Sequence, residues 1–247
     1  MRLSPVYAWL RNPSMVDYPG HLAAVFFTAG CNLACGFCHN AELMGKPREG
    51  VAWEKLDEAC QRFADDWVAA AVITGGEPTL SAQLPALLRF LKQRGWRVKL
   101  DTNGSNPDLL AECLPLLDYV AMDLKTDFDG YPALTGYGDT AALQRSMALI
   151  MGQARDYEFR TTLIGGVHDA DTLVAMVPLV EGAKRYVLQP FIPSETLPAA
   201  RFRTLPRTPA GAMETAAAVF AGHVGELIVR GAGAAILIMA SNRAGTG

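Results

Sequence analysis

The sequence has 247 residues, of which 50% are hydrophobic and 19% are charged, and its formal net charge is −3. This length suits one large α/β domain, so we expect a single domain over 1–247, with a core at about 20–195 and a C-terminal tail at 231–247. The slightly negative charge gives no sign of a nucleic-acid-binding surface. The longest uncharged apolar run, Gly231–Ala240, is too short to cross a bilayer, and Met1–Leu10 lacks the pattern of a signal peptide. We therefore expect a cytoplasmic protein with neither a nucleic-acid nor a membrane partner.

Short apolar runs predict strands, and apolar residues at helical spacing predict the helices between them. The predicted strands are Ala23–Thr28, Val68–Thr74, Trp96–Leu100, Tyr119–Leu124, Glu158–Ile164, Arg185–Gln189 and Glu226–Arg230. The predicted helices are Trp53–Asp65, Leu84–Leu91, Pro107–Leu116, Thr140–Gln153, Asp171–Val180 and Ala210–Phe220. Strands that alternate with helices indicate βαβ units and a parallel sheet, either open and doubly wound or closed into a partial or full barrel.

Three cysteines lie within eight residues, in the motif Cys31-x3-Cys35-x2-Cys38. Three thiolates this close can bind three irons of a [4Fe–4S] cluster and leave the fourth iron open for another ligand. Zinc is the alternative, because structural zinc takes four protein ligands and His39 could supply the last. A histidine directly after the third cysteine is poorly placed to reach the same metal, which favours iron–sulfur. The two remaining cysteines are expected to be buried core thiols, Cys60 and Cys113.

Polar motifs follow four of the predicted elements at the point where a strand ends. They are the cysteine motif, Gly75-Gly76-Glu77-Pro78, Asp101-Thr102-Asn103 and Asp123-Leu124-Lys125. In a parallel α/β barrel the carboxyl ends of the strands form the edge where sites are built. We therefore expect these four segments to meet at one mouth.

The cysteine motif, followed on the next strand by Gly75-Gly76-Glu77-Pro78, resembles the radical S-adenosylmethionine superfamily. Further stretches resemble the activating enzymes of glycyl-radical proteins: Ser14-Met15-Val16-Asp17-Tyr18-Pro19-Gly20, His39-Asn40, Asp101-Thr102-Asn103-Gly104 and Met122-Asp123-Leu124-Lys125. From Ser14 to Leu134 the sequence is most similar to activators of anaerobic ribonucleoside-triphosphate reductase. The resemblance weakens after Phe191.

The resemblance implies a fold, two cofactors and a reaction. The fold would be a partial (β/α)6 TIM-like barrel, and the cofactors a [4Fe–4S] cluster on Cys31, Cys35 and Cys38 together with S-adenosylmethionine. One electron from the reduced cluster would cleave the sulfonium, and the resulting 5′-deoxyadenosyl radical would take a hydrogen atom from a glycine of the partner protein. The partner would be an anaerobic ribonucleotide reductase, with a flavodoxin or ferredoxin-type electron donor. The cofactors carry the difficult step, while the protein positions them.

The same resemblance assigns S-adenosylmethionine contacts near the cysteines. Gly75 and Gly76 would let the backbone approach the methionine part, and Glu77 or nearby carbonyls would accept from its ammonium group. The alternative is an ordinary strand-to-helix turn with Pro78 at the helix start. Phe37, through its ring or backbone, and His39 would pack on the adenine; alternatively His39 is a surface imidazole.

Other cofactor contacts are expected at the ends of later strands. Asn103 is one such residue. Asp101, Thr102 and Asp123, with the carbonyl of Ala121, match positions that bind a monovalent cation in activators of pyruvate formate-lyase, and oxygen ligands suit such an ion. The alternative for Asp101 is a turn or helix cap.

Lys125 shares a face with Asp123 on an extended strand, so it could neutralise the carboxylate of S-adenosylmethionine or pair with Asp123. Arg160 is expected to point into the mouth, where carboxylates can balance its charge. Gln189 ends the sixth predicted strand, where the formate-lyase activators have a histidine near the cofactor.

Three segments keep a structural alternative. His168 and Asp169 either line the opening or cap a loop. The turn Asp17–Gly20 either shapes the rim that receives the partner or is an ordinary Pro-Gly turn. The tail 231–247 could be an edge strand, a docking segment or a frayed end.

Alternative functions remain within and outside the superfamily. The chain could activate pyruvate formate-lyase or another glycyl-radical enzyme, or act on a small molecule as a 7-carboxy-7-deazaguanine synthase does. A non-enzymatic iron–sulfur or zinc protein is the remote alternative, since it would leave the glycine turn and the acidic strand ends unused.

Overall fold

The structure is a computed structural model that describes residues 3–232 and 234–239, with side chains described for residues 3–231. Within these ranges the chain alternates strands with helices. The strands are β1 (Ala8–Trp9), β2 (Ala24–Thr28), β3 (Ala70–Gly75), β4 (Arg97–Thr102), β5 (Tyr119–Asp123), β6 (Tyr157–Leu163), β7 (Arg185–Pro190), β8 (Glu226–Ala232) and β9 (Ala234–Met239). All seven predicted strands are present, and their ends differ from the predicted ones by at most two residues.

The helices include all six that were predicted, together with two short ones. They are α1 (Trp53–Asp65), α2 (Leu84–Gln93), α3 (Pro107–Cys113), α4 (Tyr131–Thr135), α5 (Thr140–Gln153), α6 (Ala170–Val180), α7 (Ala200–Arg203) and α8 (Ala210–Phe220). The helix predicted to run to Leu116 ends as an α-helix at Cys113 and continues as a 3-10 turn over Leu114–Leu116. Pro115 explains the difference, because it has no N–H for the next α-helical hydrogen bond.

The chain divides into two compact units. The first comprises Met1–Ala34, Asn40–Met122 and Asp139–Tyr157, and the second comprises Cys35–His39, Asp123–Gly138 and Glu158–Gly247. The single domain expected over the whole chain stays a prediction.

The first unit is built on a mostly parallel sheet in which the strands follow the order of the chain from β1 to β5. β1 pairs antiparallel with β2, while β2, β3, β4 and β5 pair in parallel. The apolar residues of β2 and β3 are buried on both faces of the sheet, as is typical of parallel strands covered by helices. In this register Thr28 lies opposite Gly75, and Thr102 lies opposite Met122.

Helices of the first unit cover the sheet with their apolar faces. α1 buries Leu56, Ala59, Cys60 and Phe63, and the ring of Phe63 meets Phe26 of β2 edge-on at 6.1 Å. Cys60 and Cys113 are 1% and 0% exposed, as expected for core thiols. Burial raises the pKa of both thiols to about 12, so they are protonated and unreactive at neutral pH.

The turn Asp17–Gly20 lies at the amino ends of the strands. Tyr18 is 3% exposed and packs on Tyr119, the first residue of β5, with ring centroids 5.8 Å apart. Burial raises the pKa of Tyr18 to about 12. The polar motifs follow the carboxyl ends of the strands, whereas the ring of Tyr18 joins the core. The expectation that this turn shapes the rim that receives the partner is therefore wrong for Tyr18.

The second unit has its own run of paired strands, from β6 to β9. β6, β7 and β8 pair in parallel, with Thr162 opposite Gln189, and β9 pairs antiparallel with β8. Its core holds large aromatic side chains that are no more than 1% exposed: Tyr131, Phe159, Tyr186, Phe191, Phe202 and Phe220. Part of the predicted tail is thus an edge strand, Ala234–Met239, while residues 240–247 lie outside the described residues.

These units establish the predicted α/β class, because parallel strands alternate with helices in each of them. None of the helices that the structure describes is long and apolar enough to cross a membrane.

The core of the first unit gives a stability prediction. Phe26 is fully buried against Phe63, so Phe26→Ala leaves a cavity and should lower the free energy of unfolding by about 3–5 kcal/mol in urea denaturation. Val174→Ala, at a site on α6 that is 61% exposed, serves as the control and should change it by less than about 0.5 kcal/mol. Equal effects of the two substitutions would contradict this account of the core.

Candidate active site

The backbone at Gly30 and Cys31 is held from two sides within the first unit. The N–H of Gly30 donates to Leu43 O at 2.8 Å, and the N–H of Cys31 donates to Gly45 O at 2.8 Å. From the other side, the N–H of Glu77 donates to Gly30 O at 2.7 Å. The first cysteine of the motif therefore has a backbone position that does not depend on a bound metal.

The two glycines before Glu77 are required by the backbone that they face. Gly75 has φ +123°, a conformation that side chains rarely adopt, and a Cβ there would lie 2.5 Å from Thr28 N. A Cβ on Gly76 would lie 2.6 Å from the carbonyl carbon of Gly30. The β3 end thus packs directly on the start of the cysteine motif. The contact of this turn with a methionine moiety stays a prediction.

The carboxylate of Glu77 is 2% exposed and accepts four hydrogen bonds. Its Oε1 accepts from Thr79 N (3.0 Å), Thr79 Oγ1 (2.6 Å) and Thr102 Oγ1 (2.7 Å), and its Oε2 accepts from Asn103 N (2.6 Å). Burial raises the pKa of Glu77, while these donors oppose that shift. The side chain thus connects the turn after β3 to the end of β4. Acceptance from the ammonium group by Glu77 or by nearby carbonyls stays a prediction. Pro78 begins the 3-10 turn Pro78–Leu80.

The oxygen atoms predicted to bind a cation already have protein partners. The hydroxyl of Thr102 donates to Glu77 and accepts from Gly104 N at 3.1 Å. Asp101 forms an ion pair with Lys99, a lysine that is 1% exposed. The cation stays a prediction.

Asn103 connects the end of β4 to the first cysteine. Its Nδ2 lies 3.8 Å from Cys31 Sγ and 3.1 Å from Asn32 Oδ1, and its Oδ1 accepts from Ser105 N at 2.9 Å. Sequence reasoning missed Asn32 and Ser105. Asn32 directly follows the first cysteine, and Ser105 lies two residues after Asn103. These positions were the one sequence feature that could have predicted their contacts.

The remainder of the cysteine motif belongs to the second unit. Cys35 is buried and Cys38 half-buried, and Cys38 N donates to Cys35 O at 3.2 Å. A Cβ on Gly36 would lie 2.7 Å from the Cβ of Ala199, whose N–H donates to Gly36 O at 3.0 Å. This half of the motif is therefore fixed by the segment that leads into α7.

The ring of Phe37 is 6% exposed and meets Phe202 edge-on at 5.5 Å. Since the ring is already packed, the backbone of Phe37 is the part left for a contact with adenine. The imidazole of His39 is exposed, with Nε2 2.9 Å from Ile192 O. Contact of either residue with adenine stays a prediction.

A cavity of about 360 Å³ opens beside His39 in the second unit. Its described lining comprises His39, Thr162, Gln189, Pro190, Ile192, Arg207, Arg230 and Gly231. Gln189 donates through Nε2 to Thr162 Oγ1 at 2.9 Å, as the β6–β7 register allows. The described lining residues thus combine amide and hydroxyl groups with two guanidinium groups and include no carboxylate.

Asp123, Lys125 and Arg160 form one ion-pair cluster in the second unit. Lys125 Nζ lies 2.8 Å from Asp123 Oδ2, and Arg160 Nε lies 2.9 Å from Asp123 Oδ1. Burial alone would raise the pKa of Asp123, but the charges of Arg160 and Lys125 outweigh it and hold the pKa well below its usual range. Burial would lower the pKa of Lys125, and the charge of Asp123 outweighs it and raises that pKa. All three side chains are therefore charged at neutral pH.

Two charged residues extend this cluster and were missed by sequence reasoning. Glu158 is 1% exposed, and its carboxylate lies 3.9 Å from Arg160 Nη1 and 3.5 Å from Arg230 Nη2. Glu158 and Arg160 are two residues apart on β6 and so share a face. Two opposite charges at this spacing in a predicted strand could have indicated that Glu158 and Arg160 lie close together.

His168 and Asp169 have the capping roles that were one of their two alternatives. His168 Nδ1 accepts from Ile164 N at 3.0 Å, and its Nε2 lies 2.9 Å from Lys125 O. Burial lowers the pKa of His168, which keeps the ring neutral. Asp169 caps α6 by accepting from Thr172 N at 2.9 Å.

The donor set of the cysteine motif fits an iron–sulfur cluster chemically, because thiolates are the usual ligands of such clusters. The surroundings of Cys31 are defined by close glycine contacts with the backbone before it. The amide of Asn103 also lies near its sulfur. Within residues 3–232 and 234–239, no group of three or more His, Cys, Asp or Glu side chains surrounds the position of a single metal ion.

Known proteins resemble this chain over most of its length. The family model of the Radical SAM superfamily matches residues 25–175. A Methanocaldococcus jannaschii protein, provisionally named a glycyl-radical enzyme activating enzyme, is 30% identical over 226 residues, which cover 88% of this chain and 92% of that protein.

Shorter matches extend over about half of each protein. Pyruvate formate-lyase-activating enzyme of Clostridium pasteurianum is 33% identical over 135 residues, 52% of this chain and 56% of that protein. A 7-carboxy-7-deazaguanine synthase of Neisseria meningitidis is 37% identical over 105 residues, 42% of this chain and 44% of that protein.

The fold is similar to that of TYW1 solved with a lysine-pyruvate adduct bound. The TM-score is 0.62 at 15% identity, over 90% of this chain and 80% of that chain. At this identity the likeness concerns the fold alone. It confirms the predicted partial (β/α)6 TIM-like barrel.

The contact between Gly76 and Gly30 can be tested directly. Gly76→Ala places a Cβ against the Gly30 carbonyl and displaces the backbone of Cys31, so reconstituted protein should hold less iron and sulfide and unfold at lower urea. Gly165→Ala is the matched control, because no atom lies within 4 Å of its added Cβ. Normal iron content and stability in Gly76→Ala would remove the steric argument.

The ion-pair cluster predicts a pH-dependent loss of stability. Asp123→Asn leaves Lys125 and Arg160 without their shared carboxylate and should lower the free energy of unfolding by about 3 kcal/mol at pH 7. Because the folded-state pKa of Asp123 is depressed, its contribution is complete above the ordinary value of about 3.9 and is lost as pH falls through the folded value.

The measured difference between wild type and Asp123→Asn should therefore stay constant from pH 7 to pH 5 and shrink below about pH 4. Glu112→Gln, in an exposed ion pair with Arg89, is the control and should cost less than about 1 kcal/mol. A difference that grows on acidification would contradict the assignment.

Proposed function

The chain belongs to the radical S-adenosylmethionine superfamily, and on that premise we propose that it is an activating enzyme that generates a glycyl radical on a partner protein. We propose further that the partner is an anaerobic ribonucleoside-triphosphate reductase. The superfamily resemblance seen in the sequence is confirmed. The choice of partner rests on the motifs between Ser14 and Leu134.

One observation carries the activating role. The Methanocaldococcus jannaschii relative aligns with 88% of this chain and with 92% of its own length, so the similarity extends well beyond the cofactor motifs. Because that relative is provisionally named for an activating role, the similarity supports the proposal that this chain acts on a partner protein.

The superfamily implies a [4Fe–4S] cluster and S-adenosylmethionine. When bound, the cluster supplies the electron that cleaves the sulfonium of S-adenosylmethionine. Cys31, Cys35 and Cys38 would bind the cluster, and a flavodoxin or ferredoxin-type protein would deliver the electron. The turn Gly75–Pro78 and the backbone of Phe37 would orient S-adenosylmethionine.

Charged residues of the second unit would bind the ends of S-adenosylmethionine. Lys125, Arg160 and Arg230 carry more positive charge than Asp123 and Glu158 neutralise, which suits a carboxylate ligand. A monovalent cation at Asp101, Thr102 and Asp123 would bind beside charges that Lys99, Lys125 and Arg160 already balance in part. His39 and Gln189, which line the 360 Å³ cavity, would contact the adenosyl part.

A second candidate function is a radical enzyme for a small anionic molecule. The observation that favours it is the cavity lined by Arg207 and Arg230. Arg230 is paired with Glu158, so Arg207, which donates to Gly231 O, would supply the positive charge for an anion. The Neisseria meningitidis 7-carboxy-7-deazaguanine synthase, whose product carries a carboxylate, is similar over 42% of this chain.

The radical chemistry is tested after anaerobic reconstitution with iron and sulfide, reduction and addition of S-adenosylmethionine. Wild type should form 5′-deoxyadenosine, and replacing Cys31, Cys35 or Cys38 by Ala should abolish it. Cys60→Ala removes a buried thiol outside the motif and should retain both the cluster and product formation. Absence of 5′-deoxyadenosine with a fully loaded wild type would sink the proposal.

The substrate is tested by mixing the reduced, loaded protein with candidate glycyl-radical proteins and recording the paramagnetic resonance doublet of the glycyl radical. A doublet on an anaerobic ribonucleotide reductase supports the proposed partner, and a doublet on a formate lyase alone refutes it. Formation of a 7-carboxy-7-deazaguanine product, lost in Arg207→Gln, would instead support the second candidate.

A further inference from the structure

The side chain of Asn103 lies against the first cysteine of the motif in a fixed orientation. Its Oδ1 accepts the N–H of Ser105 at 2.9 Å, so the amide nitrogen must be on the opposite side. That nitrogen has two N–H groups and two partners, Asn32 Oδ1 at 3.1 Å and Cys31 Sγ at 3.8 Å. The hydrogen-bond network therefore determines which end of the amide faces the sulfur.

The backbone of Asn103 is fixed as firmly as its side chain. Its N–H donates to Glu77 Oε2 at 2.6 Å, and the residue is 6% exposed. Thr102, the residue before it, donates to the other oxygen of the same carboxylate at 2.7 Å. The buried carboxylate thus holds the end of β4 at the distance that brings the amide to the cysteine.

We propose that Asn103 is a positioning residue that raises the reduction potential of the cluster bound through Cys31. The inference rests on the cluster of the proposed function. Reduction adds an electron, part of whose density falls on the thiolate sulfurs, so an N–H donor directed at one of them stabilises the reduced form more than the oxidised form. Hydrogen bonds to cluster sulfurs are one of the known controls of cluster potential.

The Glu77 carboxylate positions this amide through its hydrogen bond to Asn103 N. Asn103 connects the two groups: its N–H donates to Glu77 Oε2 at 2.6 Å, and its Nδ2 lies 3.8 Å from Cys31 Sγ. The pair gives the turn after β3 a role in electron transfer that is separate from binding S-adenosylmethionine.

The test is an anaerobic redox titration of the reconstituted protein without S-adenosylmethionine, with the reduced cluster quantified by paramagnetic resonance. Asn103→Leu removes the donor at similar volume. At a fixed applied potential its ratio of reduced to oxidised cluster should fall about tenfold, which is about 59 mV for a one-electron couple. Ser105→Ala is the control: it removes the hydroxyl that bonds Asn32 and keeps the backbone N–H that orients Asn103, so the ratio should not change.

A second variant covers the case in which Asn103→Leu does not fold or load. Asn103→Asp has the same shape and keeps the acceptor for Ser105 N, but it has no N–H to donate to sulfur, so the potential should also fall. Unchanged potentials in loaded variants would overturn the role of Asn103 alone. Failure of both variants to take up iron would also overturn it and make Asn103 a structural residue. A wild type that binds no cluster would refute the cofactor assignment first.

Discussion

The hydrogen bonding of the Glu77 carboxylate is the constraint on which the first unit depends. A buried carboxylate is costly unless its oxygens are satisfied, and here Thr79, Thr102 and Asn103 supply four donors. Those donors come from the turn after β3 and from the end of β4, so neither segment can move without breaking bonds to the same group. The same two segments contact the start of the cysteine motif: the N–H of Glu77 donates to Gly30 O, and the amide of Asn103 lies near Cys31 Sγ.

The second unit orders its polar groups differently, with ion pairs in place of a carboxylate held by neutral donors. Asp123 lies between Lys125 and Arg160, and the buried Glu158 lies near Arg160 and Arg230. The ion pairs hold the pKa of Asp123 well below its usual range, whereas burial raises the pKa of Glu77 against its neutral donors. Neutral hydrogen bonds therefore order the polar groups of the first unit, and paired charges order those of the second.

Sequence reasoning succeeded where one local pattern determines the result. The apolar run Val68–Thr74 predicted a buried strand, which is present as Ala70–Gly75, and the cysteine motif together with Gly75-Gly76-Glu77-Pro78 pointed to the superfamily. It failed where the partner is distant along the chain, because Tyr18 joins the core through Tyr119. The packing of Phe37 on Phe202 was not expected either, while its contact with adenine stays a prediction. The two-residue strand β1 and the helices α4 and α7 were missed because they are too short to show a period. The contact between Glu77 and Asn103 was not predicted, because the two residues are far apart in the sequence and the pairing of β3 with β4 brings them together.

The close packing of Gly76 on Gly30 bears on how the protein could recover from oxidative loss of a cluster. Many small metal-binding domains unfold when the metal leaves, because the ligands are ordered only by the metal itself. Here the backbone of Cys31 is held by Gly45 and that of Gly30 by Leu43 and Glu77, and none of these bonds involves a metal. The emptied protein would keep this ligand on a preformed template, so repair would require delivery of iron and sulfide rather than refolding of the segment.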